Sequence, residues 1–346
     1  VVMVTGAGGS IGSELSRQII FLKPKAIILY EINELALYNI DNELAILNNL
    51  DVKIYPILGS INNQSRFKNV LNHYNIDTIY HTAAYKHVPM VEFNINEGIY
   101  NNVFGTLKCA LTAIDAKVET FVLISTDKAV RPTNTMGASK RCAELIIQAL
   151  SSEQSNTLFS MVRFGNVLGS SGSVIPLFEN QIKKGGPVTV TDINIVRYFM
   201  TIPEAVELVI QAGAMAEGGD VFVLDMGKPV KIYELAKEMI KLSGLQVLDE
   251  KNPEGDIEIK FTGLRPGEKL YEELLVGKNT SETDNELIMR AQEHMISWEA
   301  LSPLLESLKD SLMVSEYEKT QALLINIVPE FTPQSKIVDL LYKKTG

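Results

Sequence analysis

Cysteine, basic charge and long apolar runs are all scarce in this sequence of 346 residues. The two cysteines, Cys109 and Cys142, cannot form a disulfide framework, and their apolar, helical-looking surroundings predict buried free thiols in a reducing compartment. Lysine and arginine total 32 against 42 acidic residues, and the net charge of −10 argues against binding to nucleic acid or anionic lipid. No apolar run approaches the ~18 residues of a membrane span.

The remaining composition is that of an ordinary globular protein. Apolar residues make up 46% of the chain and charged residues 21%, which excludes a disordered, collagen-like or coiled-coil chain. At roughly 150 residues per domain, the length allows about two domains. The chain starts at Val1 and runs directly into a strand, without a signal-peptide pattern, so we expect a cytoplasmic protein.

Short β-branched segments alternate with amphipathic stretches through the first half of the chain. Continuous apolar strands separated by helices predict an α/β fold with a doubly wound parallel sheet that is covered on both faces. The predicted strands are Val1 to Thr5, Ala26 to Tyr30, Lys53 to Pro56, Thr78 to His81, Phe121 to Ser125 and Phe159 to Arg163.

The rhythm changes after about Asn166, where glycines and prolines separate shorter elements. We therefore predict a Rossmann-like domain over 1–165 and a smaller substrate-binding lobe over 166–280, which can interleave with the first domain. The segment 281–346 mixes charge with leucine-rich stretches, and we expect it to be a helical cap that contributes to an oligomer contact.

The strongest local motif is TGAGGSIG at residues 5–12, between the first strand and a helix. Gly6, Gly9 and Gly12 would allow backbone to approach a pyrophosphate at the positive end of that helix. Glu31 ends the second strand, where a carboxylate would bind the adenosine ribose and repel a 2′-phosphate, so NAD is favoured over NADP. The alternatives are a turn with accidental glycines and, for Glu31, a solvated strand end.

The fifth strand leads into Ser125, Thr126, Asp127 and Lys128, at the edge where open α/β sheets bind ligands. A hydroxyl, an acid and an amine in sequence can transfer protons, although an ordinary polar loop explains the same residues. Downstream, Met136 and Lys140 are four residues apart, which places both on one face of a predicted helix.

Two cationic segments in the second half predict anion binding. In GLRPGEKLYEELL, a rigid turn would present Arg265 to a diphosphate and Glu268 to ribose hydroxyls, unless Arg265 makes only a surface salt bridge. Asn166 lies in a glycine-rich loop, and Arg197 is a second candidate for binding a phosphate. The histidines have no metal-ligand spacing, so we predict no metal site.

Together these segments resemble the extended short-chain dehydrogenase/reductases, and more narrowly the bacterial UDP-N-acetylglucosamine 4,6-dehydratases of polysaccharide and protein-glycan biosynthesis. The similarity covers about residues 1–275, and HVPMVE and STDKAVRP are more discriminating than the glycine motif. It implies cofactor contacts from Gly6, Gly9, Ser10, Ile11, Gly12, Glu31, Ser60, Ile61, Ala83, Ala84, Asn102 and Lys140. It implies UDP-sugar contacts from Lys86, Asn166, Arg197, Arg265 and Glu268.

The resemblance also implies a branch and a reaction. Met136 occupies the position of the usual catalytic tyrosine, as in the branch that retains C5 configuration and is typically fused behind membrane helices. The resemblance therefore implies that the gene product is a larger inner-membrane protein, of which this is the cytoplasmic catalytic part. The implied chemistry is oxidation at C4, removal of the C5 proton by a neutral Lys128, protonation of the C6 hydroxyl by Asp127, and return of the hydride to C6. A UDP-sugar 4-epimerase and a non-catalytic sugar-nucleotide-binding protein remain the alternatives.

Overall fold

A computed structural model describes residues 1–48, 51–272 and 279–343. The strands in chain order are β1 (Val2–Thr5), β2 (Ala26–Glu31), β3 (Lys53–Leu58), β4 (Thr78–His81), β5 (Thr120–Ile124), β6 (Leu158–Arg163), β7 (Asn166–Val167), β8 (Val188–Val190), β9 (Val196–Arg197), β10 (Phe199–Met200), β11 (Asp220–Leu224), β12 (Val230–Lys231), β13 (Val247–Leu248), β14 (Ile257–Phe261), β15 (Thr280–Glu282) and β16 (Ile288–Ala291).

Helices connect most of these strands. They are α1 (Ser10–Phe21), α2 (Glu34–Leu47), α3 (Gln64–Tyr74), α4 (Val88–Phe93), α5 (Ile95–Ile99), α6 (Thr106–Asp115), α7 (Thr135–Glu153), α8 (Val174–Lys183), α9 (Ile202–Ala214), α10 (Ile232–Leu242), α11 (Trp298–Met313) and α12 (Tyr317–Ile327). Several starts are encoded locally: the Asn33 and Asn134 side chains cap α2 and α7, and Thr201 with Glu204 forms a capping box on α9.

Within the described residues, the main sheet has the order β15-β16-β11-β6-β5-β4-β1-β2-β3. Strands β3 to β11 in this order run parallel, and the part β3-β2-β1-β4-β5-β6 has the Rossmann order 3-2-1-4-5-6. This confirms the predicted doubly wound parallel sheet. All six residues of β2 are buried, as expected for a strand with both faces covered.

Two large apolar clusters lie on opposite faces of this sheet. Neighbouring residues of β1 point to opposite faces and so belong to different clusters. Met3 packs with α3, α6 and α7, whereas Val4 packs with α1, α2 and α9. The helices α11 and α12 extend the first cluster through Leu305 and Leu324. The sheet is thus held from both sides, and the carboxyl ends of β1, β2, β4 and β5 meet along one edge.

The second half of the chain forms a third apolar cluster and also adds a strand to the main sheet. A third apolar cluster around Phe178 and Ile240 joins α8, α10, β8 and β14, whereas β11 returns to pair with β6 in the main sheet. The predicted lobe over 166–280 therefore interleaves with the sheet, and its boundaries stay a prediction. No helix among the described residues combines the length and apolar character needed to cross a membrane.

The segment 281–346 differs from the helical cap that the sequence predicts. It contains α11 and α12, but β16 precedes them and pairs antiparallel with β11, and β15 pairs antiparallel with β16. Ile288 of β16 is fully buried, so this short strand covers the edge that β11 would otherwise expose.

Candidate active site

The glycine-rich turn after β1 is wound too tightly for side chains. Gly6 has a φ of +66°, and a Cβ there would lie 2.9 Å from the backbone of Ala83. A Cβ on Gly12 would lie 2.1 Å from the Gly6 carbonyl oxygen. The helix α1 begins directly after this turn, at Ser10. The first N–H groups of a helix have no partner within it, and they are the groups that a phosphate would bind.

Glu31 is part of this turn rather than a solvated strand end. Its carboxylate is 7% exposed and accepts hydrogen bonds from the backbone N–H of Gly8 at 3.0 Å, and of Ile32 and Asn33 at 2.9 Å each. These bonds join the end of β2 to the glycine turn. A contact between Glu31 and a ribose stays a prediction.

The other predicted cofactor residues line the same edge of the sheet. Ser60 and Ile61 follow β3, and Ala83 and Ala84 follow β4, against the glycine turn. Asn102 is buried on a π-helical segment, accepts from Tyr85 N at 2.8 Å, and donates to Tyr85 O at 2.9 Å and Ser139 Oγ at 3.1 Å. Asn102 thereby links the β4 loop to α7.

Thr126, Asp127 and Lys128 form one hydrogen-bonded cluster at the carboxyl end of β5. Thr126 Oγ1 donates to Asp127 Oδ1 at 2.8 Å, and Lys128 Nζ lies 3.0 Å from the same oxygen. The Asp127 side chain is 2% exposed and that of Lys128 is 22% exposed. The predicted hydroxyl, acid and amine are therefore in contact in a largely dry site.

The surroundings of this cluster favour the charged forms of Lys128 and Asp127 in the free protein, whereas the predicted mechanism needs a neutral Lys128 and a protonated Asp127 for part of the cycle. Burial lowers the pKa of Lys128, but the carboxyl groups of Asp127 and Glu272 outweigh it and raise that pKa above its usual value. Burial raises the pKa of Asp127, but Lys128 and hydrogen bonds from Glu272 and Thr126 bring it below its usual value. Without substrate, the site contains an ammonium beside a carboxylate.

Lys140 and Met136 lie on α7 beside this cluster. Lys140 is 6% exposed, and its Nζ donates to the Ile124 carbonyl oxygen at 2.6 Å. Burial lowers the pKa of Lys140 to about 8, with Glu144 opposing the shift. Met136 is 2% exposed and offers no titratable group, so its packing role agrees with the absence of a phenolic base.

Of the predicted substrate residues, Asn166 contacts Lys128, whereas Arg197 and Glu268 contact each other. Asn166 Oδ1 lies 3.4 Å from Lys128 Nζ, at the start of β7. Arg197 on β9 donates to the Lys269 carbonyl oxygen at 2.8 Å and lies 3.5 Å from Glu268 Oε1. Their side chains form a polar surface above the end of β5.

The hydrogen bonds described here for Lys86 and Arg265 go to residues outside the cluster of Thr126, Asp127 and Lys128. Lys86 Nζ donates to the carbonyl oxygen of Ser171 at 3.1 Å, and the backbone N–H of Ser171 donates to Ser10 Oγ at 3.2 Å. The glycine-rich loop around Ser171 thus bridges the cofactor-side turn and the substrate side. Arg265 is exposed, and its backbone N–H donates to Glu268 Oε2 at 3.1 Å.

Sequence reasoning missed Glu272, which lies at the centre of the polar cluster. Its side chain is 4% exposed, and Oε1 lies 2.8 Å from Lys128 Nζ and 3.1 Å from Arg197 Nε. Oε2 accepts from Asn166 Nδ2 at 2.8 Å. Glu272 belongs to the motif that contains Arg265 and Glu268, but nothing in the motif distinguishes it from the adjacent Glu273. The end of that motif, from residue 273, falls outside the described residues.

The histidines and acidic residues suggest no metal centre. Within the described ranges, no group of three or more His, Cys, Asp or Glu side chains is arranged to hold a metal ion. His81 bonds Thr5 Oγ1 at 2.8 Å and Thr106 Oγ1 at 3.1 Å, and burial together with Lys140 lowers its pKa to about 3. It is a neutral structural side chain.

Several known proteins are similar to this chain over most of its length. The capsular polysaccharide biosynthesis protein CapD of Staphylococcus aureus is 55% identical over 274 residues, covering 79% of this chain and 45% of CapD. UDP-glucose 4-epimerase of Rickettsia conorii is 35% identical over 82% of this chain and 80% of its own length. The X-ray structure of Pen from Bacillus thuringiensis is 34% identical, has a TM-score of 0.74, and covers 88% of this chain and 96% of Pen.

The chain thus spans about half the length of CapD. The sequence profile of the family described as polysaccharide biosynthesis protein matches residues 2–293, which include every candidate site residue discussed above. This chain belongs to that family of polysaccharide biosynthesis proteins.

Proposed function

We propose that this chain is an NAD-dependent 4,6-dehydratase that converts UDP-N-acetylglucosamine into a UDP-4-keto-6-deoxy sugar. The observation that carries the proposal is the contact between Asp127 and Lys128, 3.0 Å apart at the carboxyl end of β5. A dehydration needs an acid and a base acting on neighbouring carbons, and this pair supplies both. The membership in a polysaccharide biosynthesis family and a relative named as a UDP-sugar enzyme support a nucleotide-sugar substrate.

The residues near the glycine turn fit NAD. A Cβ on Gly6 or Gly12 would collide with neighbouring backbone, so these glycines allow the tight turn against which a diphosphate would bind. The Glu31 carboxylate, held by three backbone N–H groups, would repel a 2′-phosphate and accept from ribose hydroxyls. When bound, NAD would supply the hydride acceptor for oxidation at C4 and the hydride donor for reduction at C6.

The first proton, from the C4 hydroxyl, requires a base other than Met136. Thr126 Oγ1 and Asp127 Oδ1 are 2.8 Å apart, which makes a short relay from a sugar hydroxyl to a carboxylate. Lys140, tied to β5 by its bond to Ile124, would add positive potential beside the developing alkoxide. The 4-ketone that results acidifies the C5 hydrogen.

The elimination step then uses both members of the pair. The C4 proton first passes from Asp127 to solvent, so that Asp127 is again a carboxylate. Transfer of one proton from Lys128 to Asp127 across 3.0 Å then creates a neutral amine and a carboxylic acid together. The amine takes the proton from C5, and the acid gives its proton to the C6 hydroxyl, which leaves as water while the C5–C6 double bond forms. The cluster returns to an ammonium and a carboxylate, so the protons balance over the step.

The remaining predicted residues would bind the substrate. Arg197 and Arg265 are the cations suited to the diphosphate, with Glu268 toward ribose hydroxyls and Asn166 and Lys86 toward the phosphates or sugar. The proposal also includes retained configuration at C5, by resemblance to relatives that have methionine at the position of Met136. A cytoplasmic location and a homo-oligomer remain part of the same proposal.

Product analysis tests this function. Purified protein is incubated with UDP-N-acetylglucosamine, and the product is examined for loss of one water and for a ketone. Lys309→Met, at an exposed position on α11, serves as the control for Lys128→Met. We expect the ketone with wild type and the control, and none with Lys128→Met. Intact substrate throughout would overturn the proposal in favour of a non-catalytic binding protein.

A UDP-sugar 4-epimerase is the second candidate, and the 35% identity to a UDP-glucose 4-epimerase favours it. That reaction needs C4 oxidation but no acid and base aimed at C6 and C5. A product with the mass of the substrate and an inverted C4 would therefore show that the reaction is epimerisation and not dehydration.

A further inference from the structure

Two buried carboxyl groups contact the same ammonium, since Asp127 Oδ1 lies 3.0 Å and Glu272 Oε1 lies 2.8 Å from Lys128 Nζ. The second oxygen of Asp127, Oδ2, is buried and meets no N–H or O–H donor within the described residues. Two ionised carboxylates beside the same ammonium repel each other, and neither can donate a hydrogen bond to this oxygen. A single proton shared by the two groups removes the repulsion and gives Asp127 Oδ2 a hydrogen-bond donor.

The geometry points to a carboxyl–carboxylate pair, in which Asp127 and Glu272 share one proton and Glu272 controls whether Lys128 can lose its own. Glu272 is a positioning residue in this role, because it acts on the substrate through Asp127 and Lys128. Its function in dehydration rests on the proposed function, whereas the shared proton is a property of the protein alone.

The charges around the pair explain where the proton stays. Lys128 and Arg197 contact Glu272 Oε1 at 2.8 and 3.1 Å, and Asn166 donates to Oε2 at 2.8 Å. Farther out, Glu268 Oε1 forms an ion pair with Arg197 Nη2 at 3.5 Å, and Lys86 adds a positive charge near Lys128. Burial and the nearby Asp127 raise the pKa of Glu272, against Lys128 and Arg197, whereas the pKa of Asp127 is lowered. These opposite directions favour Glu272 over Asp127 as the group that holds the shared proton.

The proton on Glu272 affects how easily Lys128 becomes a neutral amine. When Lys128 gives a proton to Asp127 while Glu272 is protonated, no carboxylate remains beside the new amine. If Glu272 were ionised, a negative charge 2.8 Å from Lys128 Nζ would draw the proton back. A protonated Glu272 thus favours the amine that must remove the C5 proton.

Infrared difference spectroscopy tests the shared proton without substrate. Spectra of wild type, Glu272→Gln and Asp127→Asn are compared at neutral pH in light and heavy water, with Glu254→Gln, an exposed position, as the control. We expect a carbonyl stretch of a protonated carboxylic acid that shifts in heavy water, is retained in the control and is lost in both site variants. Wild type without this band, or Glu272→Gln with the band retained, would overturn the proposal.

The pH dependence of the elimination rate tests whether Glu272 controls the deprotonation of Lys128. In wild type the rate should fall by about tenfold per pH unit above the pKa of the pair, because the proton on Glu272 is lost. Glu272→Gln imitates the protonated acid, so its rate should stay flat over the same range. A merely structural Glu272 would lower the rate equally at every pH, which would contradict the role. Should no substrate be dehydrated at all, the infrared result still decides the shared proton.

Discussion

Lys140 Nζ donates a 2.6 Å hydrogen bond to the main-chain oxygen of Ile124, so the helix α7 is tied to the last residue of β5. The next residues along the chain are Ser125 and the catalytic candidates Thr126 to Lys128. Ser125 Oγ in turn donates to Glu144 on α7 at 2.5 Å, and Glu144 pairs with the buried Arg163 at 2.6 Å. The segment that contains the acid and the base therefore begins where β5 and α7 are bonded to each other.

The burial of Lys140 makes stability depend on pH. Burial lowers its pKa from 10.5 to about 8, so the folded protein bears the cost of a buried ammonium below pH 8. As the pH rises toward 10.5, the folded form loses this proton before the unfolded chain does, and the cost of about 3 kcal/mol is relieved.

Wild type should therefore gain stability relative to Lys140→Met between pH 8 and pH 10.5. Urea unfolding of both proteins across this range measures the difference, and Lys309→Met is the exposed control. A constant difference between wild type and Lys140→Met would show that the lysine has an ordinary pKa.

Glu31 should decide which nicotinamide cofactor the protein binds. NAD rather than NADP should be released from the purified protein on denaturation, since a 2′-phosphate would meet the buried carboxylate. Mass spectrometry of the released nucleotide checks this. Glu31→Ala removes the acceptor of three backbone N–H groups, each charge-assisted bond being worth about 1.5–3 kcal/mol, and should lose most of the bound cofactor. The exposed Glu34→Ala should retain it, and predominance of NADP would contradict the assignment.

Thr126 should act in the first oxidation. Thr126→Val removes the hydroxyl that donates to Asp127 Oδ1 at 2.8 Å, and should slow the reduction of bound NAD by about 10²-fold or more. Single-turnover absorbance of NADH measures this step, with the exposed Thr262→Val as the control. A wild-type rate in Thr126→Val would place the relay elsewhere.

Lys128 should act only after oxidation. Lys128→Met should still form NADH in a single turnover, yet release no 4-keto-6-deoxy sugar. In heavy water, wild-type product should gain deuterium at C5, while the hydrogen that arrives at C6 comes from C4 and stays unlabelled. Normal product release by the variant would assign the base to another residue.

The same substitution removes a buried cation between two carboxyl groups, and breaking such a pair typically costs about 3–5 kcal/mol. Circular dichroism must therefore show that Lys128→Met is folded before the kinetic result is read. Loss of elimination with NADH formation intact is itself a sign that the site is assembled.

The sheet was predictable because its signals are local. Runs such as Ala26 to Tyr30 are apolar throughout, and this pattern is sufficient for a strand buried on both faces. The motif at Gly6 to Gly12, Glu31 and the run from Thr126 to Lys128 each follow a strand end, so parallel topology alone brings them to one edge. The strand β16 was missed because four residues paired with β11 have no distinctive period of their own.

The sequence by itself determined the parallel sheet, the glycine turn and the residues at the strand ends, since each depends on neighbours within a few positions. Only the tertiary structure decided that Glu272 lies between Lys128 and Arg197, two residues 144 and 75 positions away from it along the chain. It also decided that Lys128 is an ammonium in the free protein, because the pKa of a buried amine depends on which carboxyl groups pack against it, and long-range folding sets those contacts.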